Sequence, residues 1–245
     1  MDQFVSEELK ELITQRANKV REDINRVCLE CGRDPSEVTL VGVSKVFPPE
    51  YAAAAVAGGL LDLGENRVQE LVPKYDLLKE HNLNPNWHLI GTLQKNKVKY
   101  IIGKTHLIHS VNTLDLAQEI SKRSIANNLV TDILIQSNVS GEESKHGFAP
   151  EELSDVIKAI SAMEGVRLRG LMTMAPIQEY DGQAREVFSK TKAIFDELRS
   201  QVNDPEMWDV LSMGMSQDYK YAIMEGATHI RIGTAIFGDR NSVNV

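Results

Sequence analysis

The hydrophobic positions of this chain change period more than once. Leu9, Leu12, Ile13, Ala17, Val20, Ile24, Val27 and Cys28 recur at three- and four-residue steps, which places them on one stripe of a long helix. Ser6 stands at the N-cap position, Glu7 and Glu8 fill the first turn, and Gly32 supplies the stop. After that the pattern alternates. Eight short apolar or β-branched runs occur at 39–44, 60–66, 87–91, 106–111, 132–139, 166–174, 208–214 and 228–233. Helical patterns fill the gaps at 49–59, 67–81, 94–101, 113–128, 150–164, 183–202 and 218–227. The runs are too continuously apolar to leave one face in water, as befits parallel strands covered by helices. The expected fold is α/β: a single (β/α)8 TIM barrel over 1–245 with an extra N-terminal helix. A doubly wound open sheet is the alternative. No Gly/Pro/Ser-rich linker divides the chain.

Composition narrows the classes. The formal net charge is −8 and no long basic stripe appears, which argues against a nucleic-acid scaffold and against docking on an anionic membrane. No apolar run has the length of a membrane-spanning helix, and "MDQFVSEELKEL" lacks the layout of a signal or transit peptide. The expected location is the cytoplasm. The two cysteines, Cys28 and Cys31, form a lone C-x-x-C at a helix end. Zinc would need further ligands, and a redox pair would sit at a helix start, so both are read as reduced, half-buried packing residues. The sequon at Asn138 would go unused in a cytoplasmic chain. Lys95, Lys97 and Lys99 read as a solvated helix face. His88 and His109, inside apolar runs, read as hydrogen-bonded core histidines, and no cluster suggests a metal.

Candidate chemistry lies where the strands end, because barrels of this kind work at the C-terminal ends of their strands. The first run, "TLVGVS", is followed directly by Lys45, and the second ends at Asn66. The seventh leads into Met213, Gly214 and Ser216, and the eighth carries Arg231, Gly233 and Thr234. Small residues with free amides and hydroxyls before a helix suit an anion, and the loops after strands seven and eight often hold a phosphate. A lysine at the barrel mouth backed by an apolar strand is partly desolvated, which lowers its pKa and makes it a nucleophile for aldehydes. An aldehyde with a phosphate at its other end would bridge the two features, and pyridoxal 5′-phosphate (PLP) is such a molecule. Arg231 near a pyridine ring donates to the nitrogen without protonating it, which implies a weak electron sink.

"VGVSKVFPPE", "LGENRVQE", "WHLIGTLQKNKVK", "GLMTMAP" and "LSMGMSQDYKYAIMEGATHIRIGTAIFG" together resemble the pyridoxal phosphate homeostasis protein family over nearly the whole chain. The resemblance implies the fold of the N-terminal barrel of bacterial alanine racemases. It implies PLP held covalently on Lys45, phosphate contacts from Ser216, Gly233 and Thr234, and Arg231 at the ring nitrogen. Asn66 would line the pocket near the ring, and Met213 and Gly214 would shape the phosphate loop. Val46 and Phe47 depart from the small or polar residues common in relatives, which bears on the pocket rim.

The racemases carry a second domain that supplies a tyrosine opposite the lysine, and the chain has no residues left for one after Val245. The expectation is a PLP-binding protein of vitamin B6 homeostasis, a monomer with no catalytic activity, whose recipients would be PLP-dependent apoenzymes. A PLP-dependent amino-acid racemase or decarboxylase is the alternative. A Schiff-base aldolase is a third, disfavoured because "GLMTM" on the sixth run has no lysine. The polar loop 140–148 could act as a lid, with Lys145 or His146 reaching in.

Overall fold

The computed structural model describes residues 4–141, 146–176 and 182–239. Helix α1 (Glu7–Glu30) precedes the barrel. The alternation then runs β1 (Thr39–Val43), α2 (Pro49–Ala57), β2 (Asp62–Glu65), α3 (Val68–Glu80), β3 (Asn86–Leu89), β4 (Leu107–Val111), α4 (Leu114–Ala126) and β5 (Thr131–Gln136). It continues with α5 (Leu153–Ser161), β6 (Val166–Met172), α6 (Gln183–Leu198), β7 (Val210–Met215), α7 (Tyr219–Met224), β8 (His229–Ile232) and α8 (Thr234–Phe237). The eight strands form a closed barrel in chain order. β1 pairs parallel to β8, with Thr39 beside His229 and Gly42 beside Ile232.

The helix start at Ser6 is as the sequence implies: its hydroxyl accepts from the Leu9 amide at 3.2 Å. The connection between β3 and β4 differs from expectation. Residues Lys95–Tyr100 form a 3₁₀ helix, not an α-helix. Only Val98 is buried there, and three lysines crowd six residues, so there is no apolar stripe to hold an α-helix against the barrel.

Strand residues alternate between two environments, as a period of two requires. Leu63, Leu89, Ile108, Ile133, Leu171, Leu211, Met213, Ile230 and Ile232 pack with the helices in the main apolar cluster. Their neighbours in sequence, Leu107, Leu134, Met172 and Val210, form a separate small cluster, which is the barrel interior. His88, His109, Ser212 and Arg231 also alternate with residues of the outer layer, and all four are buried. The interior is therefore apolar on one side and polar on the other. Neither cysteine is in a disulfide; Cys28 is buried and packs as expected, but Cys31 is exposed rather than half-buried, because it falls at the cap just past the end of α1.

Candidate functional site

The strand ends open onto a cavity of about 490 Å³. Lys45, Asn66, Ser216, Arg231, Gly233 and Thr234 all line it. Two residues singled out from the sequence do not. Met213 is fully buried in the layer between barrel and helices, because it is one position out of phase with the inward-facing Ser212. Gly214 shapes the loop from below: its φ is +92°, and a Cβ there would stand 2.6 Å from the Ala222 methyl. Gln136, His146, Met174 and Asp218 join the lining. Gln136 ends β5, and Met174 and Asp218 lie just past β6 and β7, so the strand-end rule reaches all three. His146 is placed by its backbone, whose carbonyl accepts from the Gln136 side-chain Nε2 at 2.9 Å. Lys145 lies outside the described residues.

Lys45 sits in a tight turn after β1, closed by the Phe47 amide donating to the Ser44 carbonyl at 3.1 Å. The next residue, Val46, has φ +66°, a left-handed conformation that strains a β-branched side chain. Helix α3 holds the turn from two points. The Glu70 carboxylate accepts from the Val46 amide at 2.7 Å, and the Lys74 ammonium donates to the Ser44 carbonyl at 2.8 Å. The lysine that faces the cavity is thus carried on a backbone fixed by its neighbours. Across β2 and β3, Gly91 allows the two strand ends to close up, since a Cβ there would collide with the Asn66 backbone.

Arg231 enters from β8 and is only 5% exposed. Its Nη1 donates to the Ser212 hydroxyl and its Nη2 to the Thr173 carbonyl at 3.0 Å. Among the described residues no carboxylate lies within ion-pair distance of it. Burial pushes the guanidinium down to about 10, an effect partly offset by the charge of Asp218, so the group remains a cation at neutral pH. A guanidinium has five N–H donors, so the two bonds to protein leave donors for whatever occupies the cavity. Gly233 caps the short helix α8, and neither its amide nor that of Thr234 has an acceptor among the described residues. The Asp218 carboxylate turns back onto the loop, accepting from the Met215 amide at 2.6 Å.

The cavity therefore joins a primary amine, a buried cation with N–H groups to spare, and a patch of amides and hydroxyls. That set suits a molecule with a carbonyl, a ring acceptor and an anionic end. The volume is in the range of small-ligand pockets. Among the described residues no group of His, Cys, Asp or Glu could hold a metal, and no helix is long and apolar enough to cross a membrane.

Comparison with known proteins points the same way. Residues 36–241 match the family model of the alanine racemase N-terminal domain. The pyridoxal phosphate homeostasis protein of Aquifex aeolicus is 45% identical over 226 residues, which cover 92% of this chain and 97% of that protein. Its namesake from Escherichia coli K12 is 38% identical over 94% of this chain and 97% of its own. PipY of Synechococcus elongatus, solved with PLP bound, superposes with a TM-score of 0.78 at 30% identity, covering 92% of this chain and all of that one.

Proposed function

The chain belongs to the alanine racemase N-terminal domain family and, within it, to the pyridoxal phosphate homeostasis proteins, and on that premise we propose that it binds PLP reversibly in the service of vitamin B6 homeostasis. The cofactor is held as a Schiff base on Lys45. PLP would supply an aldehyde as the electrophile for the Lys45 amine, with water as the only by-product. The chain's own residues do the rest. The Ser216 and Thr234 hydroxyls, with the amides of Gly233 and Thr234, receive the phosphate. Arg231 donates to the ring nitrogen, Asn66 borders the ring, and Met213 and Gly214 support the loop from outside the cavity.

The observation that carries this reading is that Lys45 and Arg231 line one cavity, with N–H groups of a buried guanidinium left over for a ligand. An arginine at the ring fits a holder better than a catalyst. It leaves the nitrogen unprotonated, so the ring draws electrons weakly. The proposal includes the absence of catalytic turnover, work in the cytoplasm as a monomer, and PLP-dependent apoenzymes as recipients.

The test is the visible absorbance of the protein with PLP, followed by borohydride reduction and peptide mapping. The expected result is a yellow protein whose reduced adduct maps to Lys45, with colour and adduct both lost in Lys45→Ala. A protein that stays colourless with added PLP overturns the reading. Steady interconversion or decarboxylation of amino acids by the purified, PLP-loaded protein would replace it with that of a racemase or decarboxylase.

A further inference from the structure

A line of hydrogen bonds crosses the barrel interior and ends on Arg231. Its Nη1 donates to the Ser212 hydroxyl. Ser212 Oγ stands 2.8 Å from His109 Nδ1, His109 Nε2 stands 2.9 Å from His88 Nδ1, and His88 Nε2 stands 3.1 Å from the Asp62 carboxylate. Five residues on five strands are joined, from the cavity to the opposite mouth of the barrel. Ser212 and both histidines are fully buried, and the Asp62 side chain is 25% exposed.

The ends of this line dictate its direction. A guanidinium only donates, and an ionised carboxylate only accepts. Between them, with both imidazoles neutral, one arrangement of protons satisfies every link. Arg231 donates to Ser212, the Ser212 hydroxyl to His109 Nδ1, His109 Nε2–H to His88 Nδ1, and His88 Nε2–H to Asp62. Flipping either tautomer alone sets two hydrogens or two lone pairs face to face in the core, where an unmade bond is costly. Burial holds both histidines below their ordinary range, in keeping with neutral rings. The other titratable rings beside them are those of His106 and His229, 5.6 and 6.0 Å from the His88 ring.

We infer that Ser212, His109, His88 and Asp62 are positioning residues for Arg231: their one-way line of hydrogen bonds fixes the plane in which the guanidinium faces the cavity. Two anchors on two nitrogens, Ser212 from β7 and the Thr173 carbonyl after β6, set that plane. With one removed, the group turns about the other. The inference rests on the PLP reading, since it gives the oriented donors a ring nitrogen to meet.

The experiment compares equilibrium binding of PLP with that of its analogue carrying C–H in place of the ring nitrogen. The unaltered protein is expected to prefer PLP. Ser212→Ala should lose about tenfold in affinity for PLP, the worth of one hydrogen bond to a charged donor, with affinity for the carbon analogue unchanged. Ser212→Thr, which keeps the hydroxyl, should restore the preference. Loss of both ligands alike, or of neither, overturns the positioning role, because general damage to the fold does not distinguish them. No preference in the unaltered protein also overturns it while leaving the cofactor reading intact. Failure of the unaltered protein to take PLP at all defeats the cofactor reading itself. Should Ser212→Ala not fold, Asp62→Ala at the accessible end decides: the preference is expected to fall about threefold, and an unchanged preference overturns the proposal.

Discussion

Lys74 and Glu65 make an ion pair of 2.6 Å with side chains 5% and 0% exposed. The ammonium also holds the Ser44 carbonyl, and the Ser44 hydroxyl donates to the same carboxylate oxygen at 2.6 Å. The second Glu65 oxygen is buried and has no partner among the described residues, and burial pushes this carboxyl up in spite of Lys74. Removing one partner of such a pair strands the other. Lys74→Met should cost about 3 kcal/mol in urea unfolding, and the double variant with Glu65→Leu should recover much of it. Lys74 was not legible in the sequence, where it reads as an ordinary helix lysine. Its role arises from a partner on a neighbouring strand. The candidate site was more open to reading. Lys45, Asn66, Ser216, Arg231, Gly233 and Thr234 each stand where an apolar run stops, and the structure gathers them around one cavity. Met213 shows the limit: a one-residue offset sends it to the other face of its strand.

At the scale of elements, the strands were legible because both of their faces are buried, which writes each as an unbroken apolar run. The 3₁₀ turn at Lys95–Tyr100 was not, because its geometry is decided by what it fails to bury. Nor was the place of α1, whose stripe shows that it packs but not against what. It lies along α2, α7 and α8, across the line where β8 meets β1. Arg33 donates from the end of α1 to the Ile223 and Ala227 carbonyls at 2.7 and 2.9 Å. Asp23 accepts from the Tyr219 hydroxyl, and Lys220 stands 3.1 Å from it. Partial burial raises the Asp23 carboxyl, but hydrogen bonds from Tyr219, Arg26 and Lys220 outweigh it and hold the group down to about 2. Its contribution is therefore present above the ordinary carboxylate range and is lost as pH falls toward 2. Asp23→Ala at neutral pH should cost about 1–2 kcal/mol, a modest figure because the pair stands partly in water. Hydrogen exchange should show the loss as faster opening of α1 and α7.

For the whole molecule, the polar half of the barrel interior governs behaviour in acid. Burial pushes His88, His109 and His229 down, His229 to about 3. In the unfolded chain each takes a proton near pH 6.5. Below that value the unfolded state binds more protons than the folded one, so stability rises with pH and falls on acidification. Glu65 acts the other way, one raised carboxyl against three depressed rings. Urea unfolding at pH 7.5 and at pH 5 should show a net loss, steepening toward about 1.4 kcal/mol per pH unit for each histidine. His229→Gln should flatten the slope.

The pairing of β1 with β8 reaches further than the sheet. Lys45 follows the first strand, while Arg231, Gly233 and Thr234 belong to the last. On the ribosome, the lysine emerges long before its counterparts exist. A nascent chain can fold helices and neighbouring strand pairs as it grows, because those contacts are local. The cavity has no floor at Arg231 and no anion patch at Thr234 until residue 234 has cleared the exit tunnel. The seam therefore closes only with the last strand of the barrel, and a chain interrupted before β8 presents an amine on an open sheet with nothing to select what it meets.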